Sequence, residues 1–360
     1  MSQSGISAAT EQNYATTEVA VVIVNYRTAD LAVACLEAVA AERITLPRLR
    51  AIIVDGHSGD GSVERLSLAL KHPDLTSWAS LLALPINGGF GWANNQATLL
   101  LLNSARPPEF IYLLNPDAII EKGALSCLVE SLCSDLTAAA AGSQLLNPDG
   151  SPSGSAFPFP TLRREFGRGA RTGILDRLLS MSPEPDTFPR TRHVDWVTGA
   201  SVLLRSAALR QVGLFDDGFF LYHEETELMW RLRKAGWTIV HEPRSRVTHA
   251  GGAATGVREN RTEGKFLSRR PGYWYESRRR FFALTLGRSA AAAAFPLWLA
   301  GHLLFRLTRP LRARSNRWLI ARELTDRMRH ARPQPSDGVA GVVPSNAKLG
   351  SPPAWMREGR

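Results

Sequence analysis

Asp55 and Asp117 each close an apolar run, and the acidic cluster Glu224, Glu225 and Glu227 opens a stretch of helical periodicity roughly a hundred residues later. In a chain of alternating strands and helices, the carboxyl ends of the strands face one crevice. Carboxylates gathered there can contact a nucleotide, hold a divalent cation and remove a proton. Asn25 and Asn87 end two further apolar runs, so polar side chains recur where that crevice would lie. The pattern reads as an enzyme acting on a charged, phosphorylated substrate.

The elements that must position these groups follow from periodicity. Residues 19–25 and 49–55 are β-branched runs, 81–86 and 110–114 are shorter apolar ones, and all four suit strands buried on both faces. Helical stretches follow each of them, at 29–41, from 62, at 92–102 and at 122–134. Four strand-then-helix units imply an α/β fold with a mainly parallel central sheet and helices on both faces. Asn147-Pro-Asp-Gly150 signals a turn consistent with a hairpin. Residues 151–192, rich in Pro, Arg and Ser, read as a long loop of the lid or substrate-selecting kind. Order resumes at 194–204, at the helix-like 228–236 and at a strand over 238–240.

Composition is that of a globular protein, with 44% hydrophobic and 21% charged residues among 360. The net charge of +10 is unevenly spread: residues 258–330 hold seventeen Lys or Arg against five Asp or Glu. High pI thus describes a tail more than the body. That tail carries a basic, aromatic run at 273–282, an apolar stretch at 290–304 and then Arg306, Arg309, Arg312, Arg314 and Arg317. The apolar stretch is shorter than the roughly 18–20 residues that cross a bilayer, and a segment lying on an anionic membrane surface is expected. Three unpaired cysteines and a polar N-terminus suggest a reducing, cytoplasmic setting.

Six ordered blocks between about residues 19 and 252 resemble the inverting glycosyltransferases of family 2, in particular the rhamnosyltransferase-like branch. They are Val22-Ile-Val-Asn-Tyr26, Val54-Asp-Gly-His-Ser-Gly-Asp-Gly-Ser62, Asn87-Gly-Gly-Phe-Gly-Trp-Ala-Asn-Asn95, Leu114-Asn-Pro-Asp-Ala118, Trp196-Val-Thr-Gly-Ala200 and Phe220-Leu-Tyr-His-Glu-Glu-Thr-Glu-Leu228. The resemblance implies a GT-A-type fold with a Rossmann-like nucleotide-binding half, extended by a basic, apolar C-terminal helical region. It implies donor contacts from Asn25, Tyr26, Asp55, Ser58, Asn87, Gly88, Asn94, Asn95, Asn115 and Asp117. Asn115-Pro-Asp117 is similar to the family's Asp-X-Asp motif, in which the last carboxylate meets Mg²⁺ or Mn²⁺; His249 is similar to a late-strand His that helps bind metal or diphosphate. The same likeness implies Glu225 as the base, with Glu224 as the alternative, and Asp195, Trp196 and Gly199 beside the acceptor.

Each of these has a plainer reading. Asp60 and Asp117 can cap helices, the Glu cluster can be first-turn acids, Trp196 can be core, and Arg231 and Arg233 can pair with nearby Glu. Gly56-His57 stands where the family usually has Asn after the base-binding Asp, and Glu225 stands where it usually has Asp. The expected layout is a flexible 1–17, a catalytic domain at 18–256 with halves at 18–120 and 138–256, a membrane-associating 257–330 and a disordered 331–360. The expected activity is transfer of a sugar, rhamnose by resemblance, from a nucleotide-sugar donor to a lipid-linked or glycan acceptor at the inner membrane face, with no nucleic-acid partner. A nucleotidyltransferase, an inactive family member and a nucleic-acid-binding protein are the competing readings.

Overall fold

A computed structural model describes residues 16–171, 190–251, 266–267, 269–311, 319–320 and 322–357. Strands β1 (Val19–Asn25), β2 (Arg50–Asp55), β3 (Ala79–Ala83) and β4 (Phe110–Leu114) form the parallel half of the sheet in the order β3-β2-β1-β4. The other half holds β5 (Ala118–Ile120), β6 (Ala138–Leu146), β10 (Ser201–Arg205) and β11 (Thr238–His249), continuing the order as β10-β6-β11-β5. Short β7 (Ala156–Phe157) and β9 (Trp196–Val197) pair with each other, and β8 (Arg192–Val194) pairs with β11. β10 runs antiparallel between β4 and β6. The sheet is mainly parallel, and its antiparallel pairings all lie in this second half or join it to β4.

Alternation explains why β1 sits at the centre. Its odd-numbered Val19, Val21 and Ile23 enter one apolar cluster, and Ala20 and Val22 enter the other. Helices α1 (Ala29–Ala40) and α5 (Ala124–Ser134) cover the first face through Leu36, Leu125 and Leu128. Of the short helices α2 (Ser62–Ala69) and α3 (Pro73–Thr76), both contribute a leucine there, Leu66 and Leu75. The second face is covered by α4 (Phe90–Leu102), α7 (Ser206–Val212) and α8 (Glu224–Lys234), with Trp92, Leu209 and Leu228 buried in its cluster.

Four expectations change. The stretch 151–192 is not structureless throughout: it contains β7 and α6 (Leu162–Ala170), whose Glu165 is buried. Residues 172–189 lie outside the described part. Among the tail helices, α9 (Gly272–Leu286) belongs to the core, because Phe281 and Phe282 are fully buried on the second face. Each such side chain stabilises by about 1.5–3 kcal/mol. Its arginines are buried in pairs rather than aimed at a membrane, Arg279 with Asp337 and Arg280 with Asp216. Arg312, Arg314 and Arg317 fall outside the described residues.

Next, α10 (Arg288–Thr308) is a 21-residue helix, long and apolar enough by length and composition to cross a membrane, whereas the run 290–304 was too short. It crosses α6 so closely that a Cβ on Gly169 would meet the Trp298 carbonyl oxygen at 2.1 Å, and one on Gly301 the Phe166 carbonyl oxygen at 2.1 Å. Leu303 and Leu307 on α10 remain exposed.

Last, residues 331–357, expected to be disordered, run as a strap over the second face after α11 (Glu323–His330). Leu214 N–H donates to Val343 O at 2.8 Å, Gly350 N–H to Gln96 Oε1 at 2.7 Å and Trp92 Nε1 to Ser351 O at 2.8 Å. The strap ends in the turn α12 (Ala354–Arg357). These bonds satisfy buried polar groups that a solvated tail would leave open.

Candidate active site

The loops after β1 and β2 are joined by one buried polar network. Asn25 Nδ2 donates to Asp55 Oδ1 at 2.8 Å, Ser58 Oγ donates to the same oxygen at 2.6 Å, and Ser58 N–H reaches Asp55 Oδ2 at 3.0 Å. Ser58 Oγ in turn accepts Arg27 N–H at 2.9 Å, and Asn25 Oδ1 accepts Thr28 N–H at 3.1 Å. A carboxylate fixed this way is an acceptor of set direction. Tyr26, beside it, is half-buried under the Arg27 guanidinium. Asp60 accepts Ser62 N–H at 3.1 Å and Ser62 Oγ at 2.5 Å in a turn before α2, whose N-cap is Gly61 rather than Asp60.

At the end of β4, Asp117 turns back toward the last residue of β11. His249 Nε2 lies 3.2 Å from Asp117 Oδ1 and 3.2 Å from Asn115 Nδ2. β11 pairs His249 with Ala118, which explains the meeting of residues so distant in sequence. Among the described residues no third His, Cys, Asp or Glu completes a metal-binding group here. The pair suits a cation that takes its other ligands from diphosphate oxygens and water, as Mg²⁺ commonly does.

The acidic cluster opens α8. Tyr222 and His223, immediately before it, both have left-handed backbones, with φ of 70° and 68°. Such residues cost about 1–3 kcal/mol each and persist where surrounding structure imposes them. Gly89 does part of this: a Cβ there would meet Phe220 O at 2.0 Å, and Phe90 N–H donates to that oxygen at 3.1 Å. The loop carrying Asn87 is thereby locked to the loop carrying the acids, and Asn87 Oδ1 accepts Gly89 N–H. Trp355 Nε1 donates to Gly88 O at 3.1 Å from the strap.

Glu224 is buried against Gly91, whose Cβ position lies 3.4 Å from Glu224 Cγ. Burial, and then the neighbouring Glu225 charge, push its carboxyl well above the usual range. Glu225 is half-buried over Gly199, at 3.7 Å from Cβ to the glycine's Cβ position. Burial pushes its carboxyl up to about 7, against the opposing pull of the Glu225 and Thr226 N–H groups. Neither Glu224 Oε2 nor Glu225 Oε2 has a hydrogen-bond partner among the described residues. Ala200, next to Gly199, accepts Asn115 N–H at 2.9 Å, so the acid pair and the Asp117 turn share one support. Glu227 departs from this role: it pairs with Arg231 at 2.8 Å.

Several expected contacts resolve into scaffolding. Asn95 is fully buried, donating to Phe215 O and accepting Phe215 N–H, which leaves none of its main polar groups for a nucleotide. Asn94 Nδ2 donates to Phe90 O within its own helix, while its buried Oδ1 lacks a partner among the described residues. Asp195 accepts Phe159 N–H at 2.9 Å, and Trp196 stacks on Phe157 and donates to Pro158 O. Both therefore fasten the β7 segment. Arg231 is spent on Glu227 and the carbonyls of Val212 and Leu214. Trp355 is absent from the site expected from sequence, and its signal there is that it stands as a lone Trp in a stretch expected to be disordered.

The family model for glycosyltransferase-like family 2 matches residues 15–266. The chain belongs to that family. It is 30% identical over 217 residues to an N-acetylglucosaminyl-diphospho-decaprenol L-rhamnosyltransferase of Mycobacterium tuberculosis, covering 57% of this chain and 67% of that one. It is 30% identical over 166 residues to the rhamnosyltransferase WbbL of Escherichia coli, covering 45% and 60%. In fold it resembles the mannosyltransferase PcManGT of Pyrobaculum calidifontis, solved with GDP-Man and Mn²⁺, with a TM-score of 0.50, 15% identity and coverage of 83% and 77%. GalNAc-T7, solved with UDP, GalNAc and Mn²⁺, gives a TM-score of 0.51 at 14% identity over 87% and 55%. The fold of this family-2 chain is the GT-A type, and the protein is a nucleotide-sugar-dependent glycosyltransferase.

Proposed function

We propose that this family-2 enzyme transfers a sugar with inversion from a nucleoside-diphosphate donor to a lipid-linked acceptor, with Glu225 as the base. The observation that carries the reading is Glu225 itself. Its carboxyl is raised to about 7 by burial, its Oε2 has no partner among the described residues, and it packs on Gly199, whose neighbour Ala200 accepts the Asn115 N–H. A base of that strength is half ionised near neutral pH, where proton removal is most efficient. Glu224, more deeply buried and with its carboxyl pushed well up by burial and by the Glu225 charge, is its neighbour rather than the base. Two adjacent carboxyls whose environments push them apart divide the roles in this way.

In the reaction, an acceptor hydroxyl oxygen forms the new bond to the anomeric carbon as the bond to the nucleoside diphosphate breaks. The leaving oxygen keeps that bond's electron pair, and the hydroxyl proton passes to Glu225 and then to solvent. Attack from the face opposite the leaving group inverts the centre. Asp55, held by Asn25 and Ser58, receives an N–H of the nucleobase. Asp117 and His249 would hold Mg²⁺ or Mn²⁺, which supplies positive charge to the departing diphosphate. Rhamnose is the favoured sugar, by analogy with the relatives named above. Action at the cytoplasmic face of a membrane fits the exposed apolar side of α10.

The test is release of nucleoside diphosphate from a panel of nucleotide sugars, dTDP-rhamnose included, with a lipid-linked acceptor and with Mg²⁺, Mn²⁺ or EDTA. Acceptor- and metal-dependent release, with product of inverted configuration, is expected. Consumption of a nucleoside triphosphate with release of pyrophosphate would assign the chain to the nucleotidyltransferases instead.

A further inference from the structure

Behind the acid pair lies a cluster of charge that the transfer reaction as described does not use. The Trp274 indole of α9 is surrounded by four guanidinium groups: Arg270 at 4.0 Å, Arg168 and Arg278 at 5.5 Å and Arg327 at 5.8 Å from the ring. They come from α6, α9, α11 and the residues just before α9. Two carboxylates serve them. Glu165 pairs with Arg278, with Arg327 at 3.4 Å and with Arg168 at 3.9 Å. Glu323 takes Arg327 at 3.2 Å and also Arg171 at 2.5 Å. Among the described residues, the four arginines around Trp274 thus face two glutamates, one of them shared with Arg171.

The imbalance is buried. Arg278 and Arg327 are 6% and 7% exposed. Arg168 Nε, Arg270 Nη1, Arg278 Nε and Arg327 Nη2 are buried donors without an acceptor among the described residues. Burial, and then Arg278, lower the Arg168 guanidinium well below its usual value. Burial alone would raise Glu165, but Arg278 and Arg327 outweigh it and bring its carboxyl down to about 2. An arginine does not relieve such a site by losing its proton, so uncompensated buried charge calls for an anion. Guanidinium forks match phosphate oxygens in particular.

Position says which phosphate. Arg278 Nη1 lies 3.5 Å from Nε2 of His223, the residue before Glu224, so the cluster adjoins the proposed base. On its other side a cavity of about 40 Å³ is lined by Arg278 and Arg327 with their partner Glu165, and by Phe282, Ala291, Ala294 and Phe295. It holds no more than a few waters, so a larger group would meet the cluster at Arg168 and Arg270, which are partly exposed and lie outside the cavity lining. Basic groups on one side and an apolar helix on the other suit a phosphate attached to a hydrocarbon.

We propose that the Arg168, Arg270, Arg278 and Arg327 cluster binds the phosphate or diphosphate of the acceptor lipid, with the lipid chain against α10. This rests on the reading of the protein as a transferase to a lipid-linked acceptor. The binding test needs no turnover, so its failure is distinguishable from failure of that reading.

Farnesyl diphosphate, farnesol and inorganic pyrophosphate serve as probes, titrated calorimetrically into the full chain in detergent with EDTA. Farnesyl diphosphate is expected to bind at least tenfold more tightly than either of the others. Arg270→Gln should weaken it about tenfold or more, the loss typical of one charge-assisted hydrogen bond, and Arg270→Lys should recover part of it. Arg168→Gln, at the more open edge, should act likewise and stands in if Arg270→Gln fails to fold. Binding of a nucleoside diphosphate with Mn²⁺ should be unchanged in both variants. Equal affinity for farnesol overturns the anion site, and equal affinity for pyrophosphate assigns it to a soluble phosphate compound instead. Equal weakening of the nucleoside diphosphate would assign the cluster to the donor.

Discussion

Glu225→Gln removes the proposed base while keeping its size, its burial and its place over Gly199. Loss of a general base costs about 10²–10⁴ in rate, equivalent to roughly 3–5 kcal/mol of barrier. The pH dependence is the sharper measure. With its carboxyl at about 7, Glu225 works when ionised, so the rate rises with pH and levels above neutrality. About a tenth of the group is ionised one pH unit below that value, so the rate at pH 6 should be near a tenth of the plateau. The assay is acceptor-dependent release of nucleoside diphosphate between pH 5.5 and 8.5 at saturating metal and donor. In Glu225→Gln the residual rate should lose this ascending limb, with donor binding within a few-fold of the parent. An unchanged limb, or a loss under tenfold, would refute the assignment; a limb lost in Glu224→Gln instead would move the base by one residue.

Glu224→Gln should leave turnover within a few-fold and stabilise the protein at alkaline pH. The folded carboxyl is raised above its unfolded value, so the native state binds the extra proton; stability is complete below the unfolded pKa and declines as pH rises toward the folded one. A melting temperature that rises more at pH 8 than at pH 5 is the expected result. Gly301→Ala should cost about 1–3 kcal/mol in urea unfolding, because the atom in its way is the Phe166 carbonyl oxygen, a backbone atom that no rotamer change can move. Unaltered stability would mean α6 and α10 do not cross as closely as described. Leu303→Glu with Leu307→Glu, at side chains 53% and 78% exposed, should reduce sedimentation with liposomes without lowering the melting temperature. Deleting 270–360 cannot serve as that test, since it also strips Phe281 and Phe282 from the core.

The parallel half of the sheet was legible because its information is local. Residues 19–25 are β-branched and apolar on both faces, and the polar residue ending each run marks the crevice. The acidic cluster was legible by composition, but the packing of Glu224 and Glu225 depends on Gly91 and Gly199 from elsewhere in the chain. α6 was hidden because its buried Glu165 is matched by Arg278 and Arg327, 113 and 162 residues away. A local reading sees one more charge in a basic loop. The same blindness made the tail arginines look like a membrane-facing surface, when Arg279 and Arg280 are interior ion pairs. Asn95 misled in the opposite direction: its block resembles a nucleotide contact, while its side chain is committed to Phe215.

The bond from Trp355 Nε1 to Gly88 O spans 267 residues. Synthesis at about 5–20 residues per second separates the making of those two partners by roughly 13–53 seconds. In the last part of that interval, once β11 has been made to His249, the nascent chain has its main-sheet sequence complete but lacks the clasp on the loop that meets Phe220. A ribosome-bound chain therefore has an unfastened crevice until Trp355 has emerged.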